Sequence, residues 1–336
     1  MHIARGQVLG IVVSCALGSA QGSSAQIVYW TQATFSSESV VRYDTNSTVK
    51  TTLVSWPDVT DVVGLAVDSV VDQVYWVEQS FGADRIGRVN QAGGSTQSIV
   101  TWPVITDSVG VTIDATRDRI YWIEAALVSD RIVRSDLDGG DTTAILEWPD
   151  LADPVAIAVD GFNQRIYWAE GTSNDDRIAS ADLGGGDVRT IVAWPDVANV
   201  VAIAVDPAAG KVYWAEQALL DDRIVRVDFD GSNIDPVLVW PDLADPAGLA
   251  VDSVGDMVYW VERRSGDDRL VRADLNSAIP EPLLVWPAIA EPVGLAIDFP
   301  LLDKGIPTVS QWGLATMILL LLSGATVIIR KRSLSW

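Results

Sequence analysis

One stretch of the sequence gathers the side chains that acid–base chemistry and charged-ligand binding require. Residues 74–89 read VYWVEQSFGADRIGRV, in which Glu78, Asp84, Arg85 and Arg88 follow a Tyr-Trp pair. Carboxylates and arginines around aromatic rings form an active site in some proteins and structural ion pairs in others. The choice depends on whether these residues are unique in the chain or part of a recurring pattern.

The composition excludes several kinds of site. The only histidine is His2 and the only cysteine is Cys15. The body of the chain therefore forms neither a Ser-His-Asp triad, nor a histidine or thiolate metal site, nor an internal disulfide. The 45 acidic residues against 23 basic ones give a net charge of −22. Because a phosphate backbone is held mainly by Lys and Arg, this balance argues against nucleic-acid binding and favours a cationic partner.

The stretch 74–89 belongs to a unit that is repeated along the chain. Three motifs recur every 46 residues: Tyr-Trp at 29, 75, 121, 167, 213 and 259, Trp-Pro at 56, 102, 148, 194, 240 and 286, and an aspartate that ends an apolar run at 68, 114, 160, 206, 252 and 298. A fixed period of this length is typical of propellers and solenoids.

Each unit contains four short segments with the composition of β-strands. In the unit quoted above they are 64–68, 74–78, 85–89 and 98–102, separated by turns of Gly, Asp and Ser. None has a helical period, which favours a propeller blade over a two-helix repeat. The chain enters on a second strand at 27–30 and leaves on a first strand at 294–298. We therefore predict an all-β, six-bladed β-propeller of four-stranded blades, its ring closed by the N-terminal strands and the C-terminal strand.

The units resemble the YWTD repeats, or class B repeats, of low-density lipoprotein receptors. In the fourth unit, residues 154–160 read PVAIAVD, 165–168 read RIYW and 176–178 read DRI. The resemblance covers residues 27–298 and implies a six-bladed propeller. The Thr-Asp of the family name is replaced by Val-Glu, Ile-Glu or Ala-Glu, or by Thr-Gln in the first unit, and the cysteine-rich EGF modules are missing. The ligand specificity of those receptors therefore does not carry over.

The charged residues of the opening stretch recur in nearly every unit. Glu78 is repeated as Glu124, Glu170, Glu216 and Glu262, with Gln32 in the first unit; Arg88 is repeated as Arg42, Arg134, Arg226 and Arg272, with Ser180 in the fourth. One interpretation is a ring of charges that holds a cation or an acidic ligand. The other is cross-strand Glu-Arg pairing within each blade, worth roughly 0.2–1 kcal/mol per pair.

Repetition favours the structural interpretation, because catalysis needs unlike groups that converge on one point. An active site should appear where the repeat is broken. The breaks lie at Gln32, Glu38, Ser39, Ser180, Arg263 and Arg264. They do not combine a nucleophile with a base, so we expect no catalytic residues.

Carboxylates also gather in loops that a propeller presents on one face, where the loop from second to third strand and the loop to the next blade emerge together. The repeated aspartates of the first loop are Asp84, Asp130, Asp176, Asp222 and Asp268. Such an acidic face suits Ca²⁺ or a basic partner. The same aspartates also suit turn caps and partners of the adjacent arginines. We expect no cofactor, with Ca²⁺ as the alternative.

The tryptophans of the six Trp-Pro pairs belong to the same face. There they suit stacking on a glycan or a protein ligand. A large aromatic at a strand end also often wedges between two blades with its N–H bonded. The sequence favours this second role.

Residues 1–25 have the layout of a cleavable secretory signal. Arg5 precedes an apolar stretch at 8–17, and small residues end the segment at 23–25. The sequence therefore predicts export. Residues 12–15, VVSC, also resemble a bacterial lipobox, which would add a lipid anchor.

The C-terminal region has the layout of a membrane segment. Residues 312–329 carry no charge and as a helix would span roughly 27 Å, close to the thickness of a hydrocarbon core. Arg330, Lys331 and Arg332 follow and should stay cytoplasmic. The propeller is then expected to face outward.

The residues around the start of this segment resemble the IPTL-CTERM sorting signal of bacterial envelope proteins. They are Ile306, Pro307, Thr308, Val309, Trp312 and Gly313, with valine in place of the family's leucine. The resemblance implies an exosortase-like sorting enzyme that cleaves near the motif. An ordinary C-terminal membrane anchor is the alternative.

These patterns predict an exported protein of the bacterial cell envelope or cell surface, in contact with the membrane at least transiently. Its segments are a signal peptide at 1–25, a propeller at 26–300, a linker with the sorting motif at 301–311, a transmembrane helix at 312–329 and a basic tail at 330–336. We expect the propeller to bind a protein or glycan ligand through its loops without catalysis. The alternatives are an extracellular enzyme acting on a sugar or lactone, and a calcium-stabilised structural protein.

Overall fold

The computed structural model of the chain describes residues 26–34, 37–126, 129–171, 175–218 and 221–298. The predicted signal peptide, sorting motif, transmembrane helix and basic tail lie outside these residues and stay predictions. Within the described part of the chain, no helix is long and apolar enough to cross a membrane.

The described residues form strands that repeat in sets of four, numbered here in chain order. The innermost strands are β4 (Val62–Asp68), β8 (Ser108–Asp114), β12 (Pro154–Asp160), β16 (Val200–Asp206), β20 (Pro246–Asp252) and β24 (Pro292–Asp298). The second strands are β1 (Ile27–Thr34), β5 (Gln73–Glu78), β9 (Arg119–Glu124), β13 (Arg165–Glu170), β17 (Lys211–Glu216) and β21 (Met257–Glu262). The third strands are β2 (Ser37–Asp44), β6 (Arg85–Asn90), β10 (Arg131–Asp136), β14 (Arg177–Asp182), β18 (Arg223–Asp228) and β22 (Arg269–Asp274). The outer strands are β3 (Val49–Ser55), β7 (Gln97–Thr101), β11 (Thr143–Glu147), β15 (Arg189–Ala193), β19 (Asp235–Val239) and β23 (Glu281–Val285).

These strands form six four-stranded antiparallel sheets, which confirms the predicted all-β propeller. We number the blades from the one that contains β1, so β4–β7 form the second blade and β20–β23 the sixth. Each innermost strand contacts the innermost strands of both neighbouring blades, and the series returns from β24 to β4. The six blades therefore form a closed ring.

The first blade joins the two ends of the described chain, in the sheet order β24-β1-β2-β3. In the antiparallel register of β24 and β1, Ile27 lies opposite Asp298 and Tyr29 opposite Ala296. The backbone N–H of Gly294 also donates to the Thr31 hydroxyl at 2.9 Å. Ring closure thus rests on a strand pair whose members are far apart in sequence, and it leaves every innermost strand paired with a second strand.

The Tyr-Trp pairs of the second strands form the core. Trp76 is fully buried and Tyr75 nearly so, and their counterparts in the other blades are equally buried. A second strand lies between two strands of its own sheet, with another blade packed on each side. Both of its faces are therefore buried, which explains why residues 74–78 are apolar up to Glu78 instead of alternating with polar residues.

Candidate functional site

Glu78 and its counterparts accept hydrogen bonds inside the blades. The indole N–H of Trp76 donates to Glu78 Oε1 at 2.7 Å, and Arg85 Nε donates to Oε2 at 2.8 Å. Glu78 itself is only 2% exposed. The same three-residue arrangement recurs in the third to sixth blades. In the first blade Trp30 donates to Gln32 instead, at 2.9 Å.

The predicted cross-strand Glu-Arg pairing exists, but with a different arginine. The antiparallel register places Glu78 opposite Arg85 and places Arg88 opposite Tyr75. Arg88 reaches the neighbouring blade, where its Nη1 donates to the Leu137 carbonyl at 3.1 Å. A pairing of Glu78 with Arg88 is therefore wrong, because the strand register, which residue spacing does not show, places Arg85 opposite Glu78. The glutamates are thus paired within their blades, whereas Arg88, Arg134 and Arg226 each donate to a backbone carbonyl of the next blade.

The five aspartates of the predicted acidic face are buried and hold two loops together. Asp84 Oδ2 accepts the backbone N–H of Asp107 at 2.6 Å, which joins the loop between β5 and β6 to the loop that enters the third blade. Asp130, Asp176, Asp222 and Asp268 accept an N–H in the same way, at 2.6–2.7 Å. Burial raises the pKa of the Asp84, Asp130 and Asp176 carboxyls, because desolvation disfavours their charged form.

The first blade has Glu38 where the other blades have this aspartate. The Trp56 N–H donates to the Glu38 carbonyl at 3.0 Å, as the Trp102 N–H donates to the Asp84 carbonyl at 2.8 Å. Burial raises the pKa of the Glu38 carboxyl as well. The residue that broke the repeat in sequence therefore occupies the equivalent place in the fold.

Calcium binding by the acidic face stays an untested alternative to the expectation of no cofactor. In the part of the chain that the structure describes, no group of three or more His, Cys, Asp or Glu side chains is arranged to hold a metal ion. Each of the five repeated aspartates already has a carboxylate oxygen engaged by a backbone N–H.

The Trp-Pro pairs form identical turns that expose their tryptophans. In the third blade, residues 147–150 form a turn in which the Asp150 N–H donates to the Glu147 carbonyl at 3.1 Å and the Trp148-Pro149 peptide bond is cis. The expected wedging between blades is wrong, because these six side chains are between 46% and 68% exposed. They are Trp56, Trp102, Trp148, Trp194, Trp240 and Trp286.

We call the surface that carries these tryptophans the tryptophan face. It consists of the loops between second and third strands and the loops that lead from an outer strand to the next blade. Twelve carboxylate residues are exposed in its described loops: Asp58, Asp61, Asp107, Asp150, Asp153, Asp175, Asp196, Asp221, Asp242, Asp245, Asp267 and Glu291. Against them these loops carry two cationic residues, Arg263 and Arg264, and Arg264 pairs with Asp267 at 3.3 Å. The face combines exposed indoles with strong negative charge.

The opposite face contains a cavity of about 930 Å³ between the second and third blades. Arg88, Arg117 and Arg119 line it, together with acidic and amide side chains. Arg117 pairs with Asp114 at 2.8 Å, Arg119 pairs with Asp136, and Arg88 bonds to the third blade's backbone. No sequence motif predicts this cavity, since its residues come from loops and strands of two blades. Its arginines are engaged within the protein, so the tryptophan face is the better candidate site.

No family model matches the chain, and no curated protein matches it. Solved structures do match. A chain of the nidogen/laminin complex has a TM-score of 0.69 at 17% identity, over 82% of this chain and 99% of the other. TolB from Acinetobacter baumannii has a TM-score of 0.64 at 12% identity, over 81% of this chain and 66% of the other. The PQQ-bound aldose sugar dehydrogenase from Streptomyces coelicolor has a TM-score of 0.56 at 18% identity, over 71% and 85%. At these identities the likeness shows the fold alone, a six-bladed propeller of four-stranded blades.

Proposed function

We propose that this protein is an exported, non-catalytic binding module of the bacterial cell envelope. Its propeller, of the YWTD-like type, binds a protein or glycan ligand through the tryptophan face. The observation that carries the proposal is the ring of six tryptophans, each in the same turn of its blade and each about half exposed or more.

Exposed indoles are costly to leave in water and gain from a partner. Burying a large apolar side chain contributes roughly 1.5–3 kcal/mol, and tryptophan is among the residues enriched in binding surfaces. The core of this protein is supplied by the other six tryptophans of the Tyr-Trp pairs, which are fully buried. The exposed tryptophans lie outside that core, and their exposure supports a role in binding.

The absence of catalysis is supported by how the candidate charges are used. The buried glutamates bind indoles and arginines of their own blade, and the buried aspartates bind backbone N–H groups. Each arrangement recurs around the ring, so the described residues present repeated environments where catalysis needs unlike groups. The similar solved structures include both a nidogen/laminin complex and a dehydrogenase, and so favour neither a binder nor an enzyme.

Export and sorting are part of the same proposal and rest on residues 1–25 and 306–313. Mass spectrometry of the protein from its native cells tests them through its termini. We expect a mature N-terminus near Gln26 and a C-terminus near the motif that begins at Ile306. Intact protein that still carries residues 1–25 would contradict export.

The binding function is tested with the full chain and a variant in which all six exposed tryptophans are alanine. Both are titrated against purified envelope polysaccharides and synthetic peptides. We expect the unchanged chain to bind at least one of these, and the variant to bind it about a hundredfold more weakly. A control changes Val70, Phe162 and Val254 to alanine, since these exposed apolar residues lie on the opposite face. Equal binding by all three proteins, or hydrolysis of a sugar lactone by the unchanged chain, would contradict the proposal.

A further inference from the structure

The six Trp-Pro turns differ at one exposed position. The residue two places after the tryptophan is an aspartate in four blades, as Asp58, Asp150, Asp196 and Asp242. In the second and sixth blades it is Val104 and Ala288. The third, fourth and fifth blades are consecutive, so three successive Trp-Pro turns each carry both a tryptophan and an aspartate: Trp148 with Asp150, Trp194 with Asp196, and Trp240 with Asp242.

The turn geometry is the same in all of these blades. The N–H of Asp150 donates to Glu147 O, that of Asp196 to Ala193 O and that of Asp242 to Val239 O, each at 3.1 Å. The Val104 and Ala288 turns have the same bond at 3.0 Å and 2.9 Å. Each of the three aspartates is exposed, as is the tryptophan of its turn. The blades therefore share the same backbone turn and differ in whether that turn carries a carboxylate.

The arginines that bond to the backbone of these turns are already paired with glutamates of the protein. Arg177 donates through Nε and Nη2 to both oxygens of Glu170, and Nη2 also reaches the Asp150 carbonyl at 2.7 Å. Arg223 donates through Nε to Glu216 Oε2 and through Nη2 to the Asp196 carbonyl at 3.3 Å. Each guanidinium is paired mainly with a buried glutamate, and its attraction to Asp150 or Asp196 is a smaller contribution. Among the described residues, no side-chain hydrogen bond or ion pair engages the carboxylates of Asp150, Asp196 and Asp242, so these oxygens can face an external cation.

A turn that exposes both an indole and a carboxylate suits a cation. The ring face attracts a Lys or Arg head group through its quadrupole, and the carboxylate supplies the counter-charge. A neutral sugar ring also stacks on indole, but it would use all six tryptophans alike and gain little from the aspartates. The surplus of exposed carboxylates on this face likewise favours a basic partner.

We propose that the three consecutive turns with Trp148, Trp194 and Trp240 bind a basic segment of a protein partner. We call these turns, with Asp150, Asp196 and Asp242, the Trp-Pro-Asp arc. A Lys or Arg side chain lies on each indole and faces the carboxylate of the same turn. Because three sites lie on one ring, a segment that occupies all three gains from multivalency. This inference rests on the proposed binding function and names the chemistry of its ligand.

The test uses a synthetic peptide of lysine and glycine, and the same peptide with every lysine acetylated. The peptides are titrated into the full chain, followed by tryptophan fluorescence and calorimetry. We expect the lysine peptide to bind, more weakly as salt is raised, and the acetylated peptide to bind at least about tenfold more weakly. Equal affinity for both peptides would overturn the inference.

Two pairs of matched variants distinguish binding at the Trp-Pro-Asp arc from nonspecific electrostatic attraction of the peptide to the acidic protein. Changing Asp150, Asp196 and Asp242 together to asparagine should weaken lysine-peptide binding about tenfold. Changing Asp118, Asp138 and Asp256 to asparagine removes the same charge from exposed positions of the opposite face and should leave the affinity within about twofold. Likewise, Trp148→Ala with Trp240→Ala should cost more than Trp102→Ala with Trp286→Ala. Equal losses within either pair would overturn the inference.

A further outcome separates this inference from the proposed function. If the lysine peptide fails to bind while a glycan binds through the six tryptophans, the cationic ligand is wrong and the binding function stands. If none of the tryptophan variants changes the binding of any ligand in either experiment, both are wrong. Melting temperatures of all variants exclude loss of folding as the cause.

Discussion

Trp168 donates its indole N–H to Glu170 Oε1 across 2.8 Å, two residues further along the same strand. Arg177 of the adjacent strand donates to both oxygens of that carboxylate, at 2.7 and 2.8 Å. The glutamate thus satisfies a buried ring N–H and balances a partly buried guanidinium. This explains why the position is glutamate in five blades, and glutamine in the first.

Glu170→Ala should lower the free energy of unfolding by about 2 kcal/mol. The substitution leaves the Trp168 N–H and the Arg177 guanidinium without their acceptor in a buried setting. The expected loss of unfolding free energy is moderate because the Arg177 side chain is 27% exposed and water solvates it in part. Urea unfolding followed by fluorescence measures the change.

The control for this prediction is Glu281→Ala. Glu281 pairs with Arg272 at 2.9 Å, but its side chain is 60% exposed. An exposed ion pair contributes roughly 0.2–1 kcal/mol, so this variant should unfold close to the unchanged chain. Equal destabilisation by the two substitutions would show that the buried Trp-Glu-Arg arrangement contributes no more to stability than an exposed ion pair.

Asp130→Ala should be more destabilising than Asp130→Asn. Asp130 Oδ2 accepts the Asp153 N–H at 2.7 Å and so connects two loops of the tryptophan face. Alanine leaves that N–H without an acceptor, at a cost of about 1–3 kcal/mol. Asparagine keeps an acceptor oxygen and removes a charge that burial already disfavours. Thermal unfolding of the two variants side by side decides; a larger loss for asparagine would contradict the bonding role.

Calcium should leave the melting temperature unchanged. The repeated aspartates already accept backbone N–H groups, and the described residues form no metal-ligating cluster. A ligand that binds only the folded state stabilises it by RT ln(1 + L/Kd), where L is the free ligand concentration, so the melting temperature rises with the logarithm of the ligand concentration above Kd. Scans with millimolar calcium and with a chelator test this. A rise that Asp130→Asn abolishes would instead support a calcium site at these loops.

The sequence suffices to predict the propeller architecture, because every repeated unit has to meet the same packing requirements. The 46-residue period, the strand segments and the Tyr-Trp core all follow from a unit that must pack against copies of itself. The strand register could not be predicted from the sequence, because residue spacing alone does not show whether Arg85 or Arg88 lies opposite Glu78. The exposure of Trp102 was also beyond reach, because a strand-end tryptophan packs inward or outward depending on the turn that follows.

Ring closure should depend on the last innermost strand. β24 pairs with β1 and contacts the innermost strands of both neighbouring blades. A chain that ends after residue 290 lacks this strand, which leaves β1 as an open edge and uncovers the apolar sides of β4 and β20. We expect it to aggregate and to lose its cooperative unfolding transition. A chain that ends after Phe299 keeps β24 and serves as the control. Similar cooperative unfolding of both would contradict the role of β24.

Alkaline unfolding should follow from the six buried tyrosines of the second strands. Burial raises the pKa of all six phenols, to about 12 for Tyr121 and Tyr259, whereas the phenols of an unfolded chain ionise near pH 10. Above about pH 10 the folded state therefore binds more protons than the unfolded state, and stability falls as pH rises. Phenolate absorbance and loss of the far-ultraviolet signal should appear together, in one transition.

Tyr167→Phe provides the matched variant for this pH dependence. It removes one phenol while keeping a ring that stacks on Phe229, whose centroid lies 5.0 Å from that of Tyr167. With one fewer proton to release on unfolding, the variant should lose stability less steeply above about pH 10, which urea titrations at several pH values measure. A gradual phenolate titration that is complete before the fold is lost would contradict the burial of these rings. An unchanged slope in Tyr167→Phe would show that this phenol ionises without unfolding.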